Sequence, residues 1–217
     1  MKKTAAIIIS LIILSFIAGI YLYPQMPDRM ASHWNSQGEV DGYMPKFWGL
    51  FLMPIVVAFC FLLFIFLPRI DPLKKNVEKF RKYYDWFIAL FIAFMFYIYL
   101  LTVFWNLNYR FNMTLMIIPA FGVLIYYIGI LVENSKRNWF IGIKTPWTLS
   151  SDAVWEKTHK LSAKLFKAAG IIALSGLFIQ KYAIWIFLVP VLFAALYPIF
   201  YSYFEYQKIK KHNSGTK

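Results

Sequence analysis

The segment that decides the fold covers residues 138–160 and reads Asn-Trp-Phe-Ile-Gly-Ile-Lys-Thr-Pro-Trp-Thr-Leu-Ser-Ser-Asp-Ala-Val-Trp-Glu-Lys-Thr-His-Lys. It is too polar to cross a membrane, yet too apolar and aromatic to be a simple linker. Pro146 disfavours the α conformation at Thr145, so a helix cannot run smoothly through the segment. We therefore expect a folded loop that leads into a helix. Its three tryptophans are predicted to anchor it at the bilayer surface: Trp139, Trp147 and Trp155.

The second half of this segment has the pattern of a helix start. Ser150 is a favourable N-cap, and Asp152 lies in the first turn, where a carboxylate interacts well with the helix dipole. Trp155 and His159 lie together on one face. A neighbouring apolar face is predicted from four residues at helical spacing: Val154, Thr158, Leu161 and Leu165.

The residue types of a hydrolase triad also occur here, in Ser150, Ser151, Asp152 and His159. Capping alone places Ser and Asp at a helix start, and no strand–turn–helix elbow precedes them. We therefore predict structural and recognition roles for these side chains, and no catalytic residue.

The composition is that of a membrane protein. Hydrophobic residues make up 60% of the 217 residues and charged residues 15%, and the mean hydropathy is +0.57. Apolar runs of about 20 residues, the length that a helix needs to cross a bilayer, take up almost the whole chain. The single cysteine, Cys60, lies inside one such run and excludes a disulfide framework within the chain.

We predict an all-α membrane fold, a six-transmembrane-helix bundle with cytoplasmic N- and C-termini. The apolar core of the fifth span, residues 168–179, is short, so this span requires Lys164 and Lys167 to extend toward the membrane surface. Without this span the basic C-terminal tail would lie outside, against the positive-inside rule. The predicted spans cover residues 5–23, 47–67, 86–105, 113–132, 163–179 and 182–204.

The distribution of charge supports this topology. Nineteen of the 23 Lys and Arg residues fall on the predicted cytoplasmic side. The formal net charge of +13 thus reflects topology and contact with the lipid bilayer, and direct nucleic-acid binding is not required to explain it. The spans carry no ionisable residue near mid-membrane, which disfavours the alternative of a small-molecule transporter. The four basic residues predicted outside are Arg29, Lys46, Arg110 and Lys181.

The outer loop, residues 25–46, is the second segment with specific features. Turns are predicted at Gly38 and at Asp41–Gly42. A metal site, or an acid–base pair in a membrane enzyme, is an alternative hypothesis because three ionisable side chains lie within nine residues: His33, Glu39 and Asp41. Their spacing matches no recurrent ligand pattern, so we favour a compact recognition loop.

Both loops resemble motifs of a known family. From Met26 to Lys46 the outer loop reads Met-Pro-x5-His-Trp-Asn-x2-Gly-x2-Asp-x4-Lys, which is similar to the small membrane module at the N-terminus of SdpI-type immunity proteins. Residues 138–159 resemble the signature of the SdpI family itself. Lys144 and Lys160 stand where that pattern has Arg, which keeps the charge but weakens bidentate contacts. The Gly-rich continuation of the pattern is replaced here by Ser162-Ala163.

The resemblance implies an integral membrane protein that protects the cell against a secreted, membrane-active peptide toxin. It also implies toxin sensing and the capture of a cytoplasmic repressor at the membrane. We expect no enzyme activity, cofactor or metal on this reading. Two parts are predicted, a two-span module in residues 1–67 and a four-span region in residues 68–217, whose cytoplasmic signature loop covers residues 134–167.

We expect contact residues in each loop, because the two folded loops lie on opposite faces of a bundle without ionisable residues in its interior. In the outer loop, those expected to meet the toxin are His33, Trp34, Asn35, Gly38, Asp41 and Lys46. In the inner loop, those expected to hold a partner or couple to it are Asn138, Gly142, Lys144, Thr145, Pro146, Trp147, Ser150, Trp155 and His159.

Overall fold

The computed structural model describes residues 2–215, and the side chains from Thr4 to His212. The side chains of Lys2, Lys3 and Lys217, which enter the charge count, lie outside the described residues. Helices make up 78% of the structure. The α-helices are α1 (Lys2–Leu22), α2 (Lys46–Ile70), α3 (Lys74–Lys79), α4 (Arg81–Asn106), α5 (Met113–Asn134), α6 (Pro146–Ser150), α7 (Asp152–Ser175) and α8 (Ala183–Gly215). The strands are β1 (Arg29–Trp34) and β2 (Val40–Pro45).

Five of the described helices are long and apolar enough to cross a membrane, namely α1, α2, α4, α5 and α8. The prediction of a multi-pass membrane protein is thereby confirmed. Helix α7 has 24 residues, but its first half carries most of its charges and its apolar half ends at Ser175. The predicted end of the fifth span at residue 179 is wrong, because the helix ends at Ser175. The chain turns at Gly176, where an added Cβ would lie 3.2 Å from the Cα of Ala183.

Helices α5 and α7 lie unusually close together because glycines face the partner backbone. A Cβ added at Gly170 would lie 2.6 Å from the carbonyl oxygen of Gly122. One added at Gly129 would lie 2.8 Å from the carbonyl oxygen of Ala163. Small residues of this kind allow helices in membranes to approach closely and gain van der Waals contact. Helix α7 therefore follows α5 along most of its length.

Two clusters of buried apolar side chains join α4 to α1 and α2. One includes Ile92 and the other includes Tyr99, and both residues are fully buried. The Tyr99 hydroxyl donates a hydrogen bond to the carbonyl of Ser15 on α1 at 3.0 Å. Such a bond satisfies a polar group that hydrocarbon could not.

The outer loop forms a β-hairpin, so the prediction of an all-α fold is wrong in this segment. Strands β1 and β2 pair antiparallel, with Arg29 opposite Pro45 and Met30 opposite Met44. The side-chain amide of Asn106, at the end of α4, accepts from the N–H of Ala31 at 2.8 Å and donates to its carbonyl at 3.0 Å. This contact satisfies the outer edge of β1 and fixes the hairpin on the helices.

The turn predicted at Asp41–Gly42 is also wrong, because both residues lie within β2. Gly42 pairs with His33 where the register of the hairpin shifts. A Cβ at Gly42 would lie 2.9 Å from the Cβ of His33. The glycine therefore allows close strand approach instead of a turn.

Candidate functional site

The tip of the hairpin is built around Asn35. Its Oδ1 accepts hydrogen bonds from the backbone N–H groups of Gln37 at 3.0 Å and Glu39 at 2.9 Å. Gly38 has a φ of +82°, a conformation that glycine adopts without strain. A Cβ there would collide with the side chain of Asn112, whose Nδ2 donates to the Gln37 carbonyl at 2.8 Å. Asn35 and Gly38 therefore shape the tip and seat it on the start of α5.

His33 and Asp41 face each other across the hairpin. The Nδ1 of His33 lies 2.5 Å from the Oδ1 of Asp41, and the two side chains are 71% and 46% exposed. Glu39, the third side chain of the metal hypothesis, instead accepts a hydrogen bond from Asn35 Nδ2 at 3.3 Å. Among the residues that the structure describes, no group of three His, Cys, Asp or Glu side chains could hold a metal. The geometry provides an exposed polar pair that is available to a partner.

Trp34 and Lys46 support the two ends of the hairpin. The Trp34 ring packs edge-on against Trp105 at 5.7 Å. The Lys46 ammonium donates to Asp28 at 2.9 Å and lies 5.1 Å from the centre of the Tyr23 ring. The hydrogen bond and the charge of Lys46 lower the pKa of Asp28 below its ordinary value. Trp34 and Lys46, predicted as recognition residues, thus position the hairpin.

At the other end of the bundle, the inner loop begins with a turn around Asn138, which is fully buried. Its Oδ1 accepts from the backbone N–H groups of Phe140 at 2.9 Å and Ile141 at 2.6 Å. Its Nδ2 donates to the carbonyls of Lys136 and Ile141, both at 2.8 Å. All the hydrogen-bonding capacity of this amide is used inside the loop. Asn138 is therefore a structural residue.

Asp71, just after α2, fixes the same turn from outside. Its Oδ2 accepts from the backbone N–H of Trp139 at 2.9 Å and its Oδ1 from Leu73 at 2.7 Å. Asn76 on α3 donates to the carbonyl of Arg137 at 2.9 Å. The inner loop thus packs against the α2–α3 connection and forms one folded unit with it.

Thr145 and Thr148 form a capping box at the start of α6. Thr145 is extended, and its side chain accepts from the N–H of Thr148, while the Thr148 side chain accepts from the N–H of Thr145. Pro146 follows at the first helical position, where its missing N–H costs nothing. The Thr145 hydroxyl also lies 3.0 Å from that of Ser202, which is fully buried on α8. This contact ties the loop to α8.

The N-cap of α7 is Ser151 and not Ser150 as predicted. The side chain of Ser151 accepts from the backbone N–H of Val154 at 3.4 Å. Ser150 is the last residue of α6, and its hydroxyl donates to the carbonyl of Pro146 at 2.7 Å. The prediction missed this because Pro146 starts a separate short helix, which shifts the next cap by one residue. Asp152 lies in the first turn of α7, as predicted.

Trp155 and His159 form the centre of the inner loop. Both are buried, and their rings stack at 3.9 Å. His159 Nδ1 donates to the carbonyl of Trp155 at 2.7 Å, and Nε2 accepts from the N–H of Ile143 at 3.0 Å. Gly142 has a φ of +117°, and a Cβ there would collide with His159 Nε2. Burial lowers the pKa of His159 to about 4, so the imidazole is neutral near pH 7.

These positions correct two further predictions. The Trp155 indole points inward, with Nε1 donating to the carbonyl of Ser135 at 3.1 Å, so it is not a bilayer anchor. In the predicted apolar face of α7, Val154 and Thr158 are fully buried, as expected. Leu161 and Leu165 are only half-buried, because the buried face of the helix turns toward Phe166. His159, which is neutral and hydrogen-bonded, is also buried on this side of the helix.

Three predicted inner-loop residues remain exposed, namely Lys144, Pro146 and Ser150. Trp139 is also 50% exposed. Lys144 donates to the carbonyl of Phe140 at 3.0 Å, which holds its ammonium on the loop surface. Trp147 is half-buried and packs against Tyr203 of α8 at 5.1 Å.

Several residues that hold the two loops from a distance were not predicted from the sequence. They carry no local motif, and the available signal was an asparagine or aspartate next to the end of an apolar span, as at Asp71 and Asn106. The buried Glu205 on α8 is a further case, since it accepts from Lys157 on α7 at 2.9 Å. Arg137 is another, since its guanidinium donates to the carbonyl of Leu149 at 2.9 Å. The missed residues are Asp71, Asn106, Asn112, Arg137, Ser202 and Glu205.

Both loops lie in segments that match known protein families. Residues 134–202 match the SdpI/YfhL protein family, and residues 10–58 match a family described as Domain of unknown function (DUF1648). The chain is 30% identical over 212 residues to the Immunity protein SdpI of Bacillus subtilis (strain 168), covering 96% of this chain and 98% of that protein. The chain belongs to the SdpI family. No solved structure matches it significantly.

The SdpI family match covers the inner loop, α7 and most of α8. It includes Asn138, His159 and Ser202, so the contacts that close the loop lie within it. Asp71 and Asn106, which hold the two loops from other helices, lie outside both matched segments. The segment that matches the SdpI family therefore forms a folded unit around the inner loop. Residues outside both matched segments add hydrogen bonds that hold the two loops in place.

Proposed function

We propose that this protein is a membrane immunity protein that protects its cell against a secreted, membrane-active peptide toxin. The observation that carries the proposal is the similarity to the Immunity protein SdpI, which extends over 96% of this chain. The architecture supports it. The described residues form a helical bundle with a folded unit at each end.

The proposal includes six membrane spans with both termini in the cytoplasm. In this proposal α7 is the crossing needed in addition to the five apolar helices. It packs against α5 through the contacts of Ala163 with Gly129 and of Gly170 with Gly122, and its Lys167 forms an ion pair with Glu133 of α5. That ion pair marks the membrane surface, so the charged first half of α7 lies in the cytoplasm. The residues after α7 line a cavity together with Gln37 of the hairpin, which supports their location on the outer side.

The outer hairpin is the proposed toxin-contact surface. Its tip and base are fixed by Asn112, Asn106 and Lys46, so the exposed side chains are held in a defined arrangement. His33 and Asp41 offer polar groups, and Tyr43 is 54% exposed beside them. A rigid surface loses little conformational entropy on binding.

The inner loop is the proposed surface for a cytoplasmic repressor, through which toxin binding would be sensed. Trp139 and Lys144 are exposed on a loop whose buried residues Asn138 and His159 are hydrogen-bonded. Tryptophan surrounded by basic residues is typical of interaction surfaces. The two-part division into residues 1–67 and 68–217 is part of the same proposal, with one contact surface in each part.

Expression in a toxin-sensitive cell tests the immunity function. Cells that make the protein and cells with the empty vector are challenged with a panel of secreted bacterial membrane-active peptides. We expect higher survival of the expressing cells for at least one peptide. Equal survival across the panel contradicts the proposal.

A further inference from the structure

A cavity lies between α1, α2 and α4 at the end of the bundle that holds the inner loop. Its volume is about 220 Å³. Three helix faces converge on it, and each contributes residues one turn apart. The lining residues that define it are Ala5 and Ile8 of α1, Phe61, Ile65 and Arg69 of α2, and Arg81 of α4.

The lining of this cavity changes from apolar to charged toward the same end of the bundle on α2 and on α4. On α2, Phe61 and Ile65 line the interior and Arg69 lies at the helix end. On α4, Arg81 lies at the helix start and Ile88 is about two turns deeper. Since a helix rises 1.5 Å per residue, the apolar part reaches roughly 12 Å inward from Arg69.

A second cavity of about 240 Å³ adjoins the charged end and shares Arg69 and Arg81 with the first. Its lining adds Lys74 and Glu78. Arg81 donates to Asp85 at 2.6 Å, so that carboxylate is already paired. Arg69 and Lys74 have no ion pair with any residue whose side chain the structure describes. The mouth therefore carries three cations and two carboxylates, an excess of positive charge.

We propose that this cavity binds an anionic phospholipid of the leaflet that surrounds this end of the bundle. The phosphate lies at Arg69, Lys74 and Arg81, and an acyl chain enters between α1, α2 and α4. A basic mouth over an apolar slot matches the charge and shape of such a lipid. The cavity's position at the ends of membrane-spanning helices places it where lipid headgroups lie. The bound lipid would fill the gap between α1 and the neighbouring helices α2 and α4.

Lipid retention by the purified full-length protein tests this inference independently of immunity. The protein in detergent micelles is titrated with phosphatidylglycerol or phosphatidylcholine, and bound lipid is counted by native mass spectrometry. We expect preferential retention of phosphatidylglycerol. Arg69→Gln should weaken that retention about fivefold, the change that corresponds to ~1 kcal/mol per basic residue.

Two further variants separate the headgroup from the acyl chain. Lys181→Gln removes one positive charge at the opposite end of the bundle and should leave retention unchanged. Ala5→Phe narrows the apolar slot without changing charge and should weaken retention. The melting temperature of each variant verifies folding, and Lys74→Gln replaces Arg69→Gln if the latter fails to fold.

Three results would overturn the inference. One is an equal loss of phosphatidylglycerol with Arg69→Gln and Lys181→Gln, which indicates general surface charge. Another is unchanged retention in the folded Ala5→Phe protein, which excludes acyl-chain entry. The third is displacement of the lipid by millimolar inorganic phosphate, which indicates a site for a free anion.

Discussion

The rings of Trp155 and His159 stack with centroids 3.9 Å apart and planes inclined by 14°. Trp155 Nε1 donates to Ser135 at the end of α5, and His159 Nε2 accepts from Ile143 in the inner loop. This pair therefore joins the start of α7 to both α5 and the loop. Within the SdpI signature of this chain, Trp155 and His159 therefore have a structural role.

Stability should depend on pH through His159. Burial lowers its folded-state pKa to about 4, below the ordinary value of 6.5. The unfolded chain then binds a proton from pH 6.5 downward while the folded protein does not, so the free energy of unfolding falls as pH drops through this window. We expect a loss approaching ~3 kcal/mol near pH 4.

Thermal unfolding in detergent between pH 7 and pH 4 measures this effect. His159→Gln keeps polar groups at the site but cannot be protonated, so its stability should fall less steeply over the same range. Equal slopes for the two proteins would contradict the role of His159.

The two serines before α7 should differ in their contribution to stability. Ser151 accepts from Val154 N–H as the N-cap, whereas Ser150 bonds only within α6. Ser151→Ala should lower the free energy of unfolding by ~1 kcal/mol, and Ser150→Ala by clearly less. Denaturant titration of both variants gives the comparison. A larger loss for Ser150→Ala would show that the cap is misassigned.

Because α5 and α7 pack closely, the stability of the protein should be sensitive to the size of the side chain at position 170. An added Cβ would lie 2.7 Å from the backbone nitrogen of Tyr126, so the helices must separate. Gly170→Ala should destabilise the protein by ~1–3 kcal/mol, as overpacking does. Ala168→Leu, on the exposed side of the same helix, is the matched control and should have little effect on the melting temperature. If both variants melt alike, close packing at Gly170 does not contribute to stability.

Features encoded over short distances could be predicted from the sequence. The five apolar spans follow from hydropathy, and the adjacency of Trp155 and His159 follows from helical spacing. The extended conformation at Thr145 follows from Pro146. In each case the residues that decide the structure are neighbours in the chain.

Features that depend on distant contacts could not be predicted. The hairpin is held by Asn106, 75 residues away from its partner Ala31, and β1 shows no clear alternation of polar and apolar residues. Thr145 reaches Ser202 across 57 residues. Single-residue shifts, such as the N-cap at Ser151, also depend on where the preceding short helix ends.

Membrane topology can be tested by cysteine labelling in a Cys60→Ala background. Ser36→Cys and Lys181→Cys lie at one end of the bundle, and Ser150→Cys lies at the other. In intact cells an impermeant maleimide should label the first two and not the third, which should react only after lysis. Labelling of Ser36→Cys without Lys181→Cys would show that α7 does not cross the membrane.

The most direct measurement is a killing curve for toxin-sensitive cells that express the protein at a verified membrane level. With at least one membrane-active peptide, we expect the wild type to protect. The exposed outer variant His33→Ala/Asp41→Ala should lose protection, while Ser150→Ala at the inner end keeps it. Killing of expressing cells at the same rate as vector controls by every peptide would contradict the immunity function.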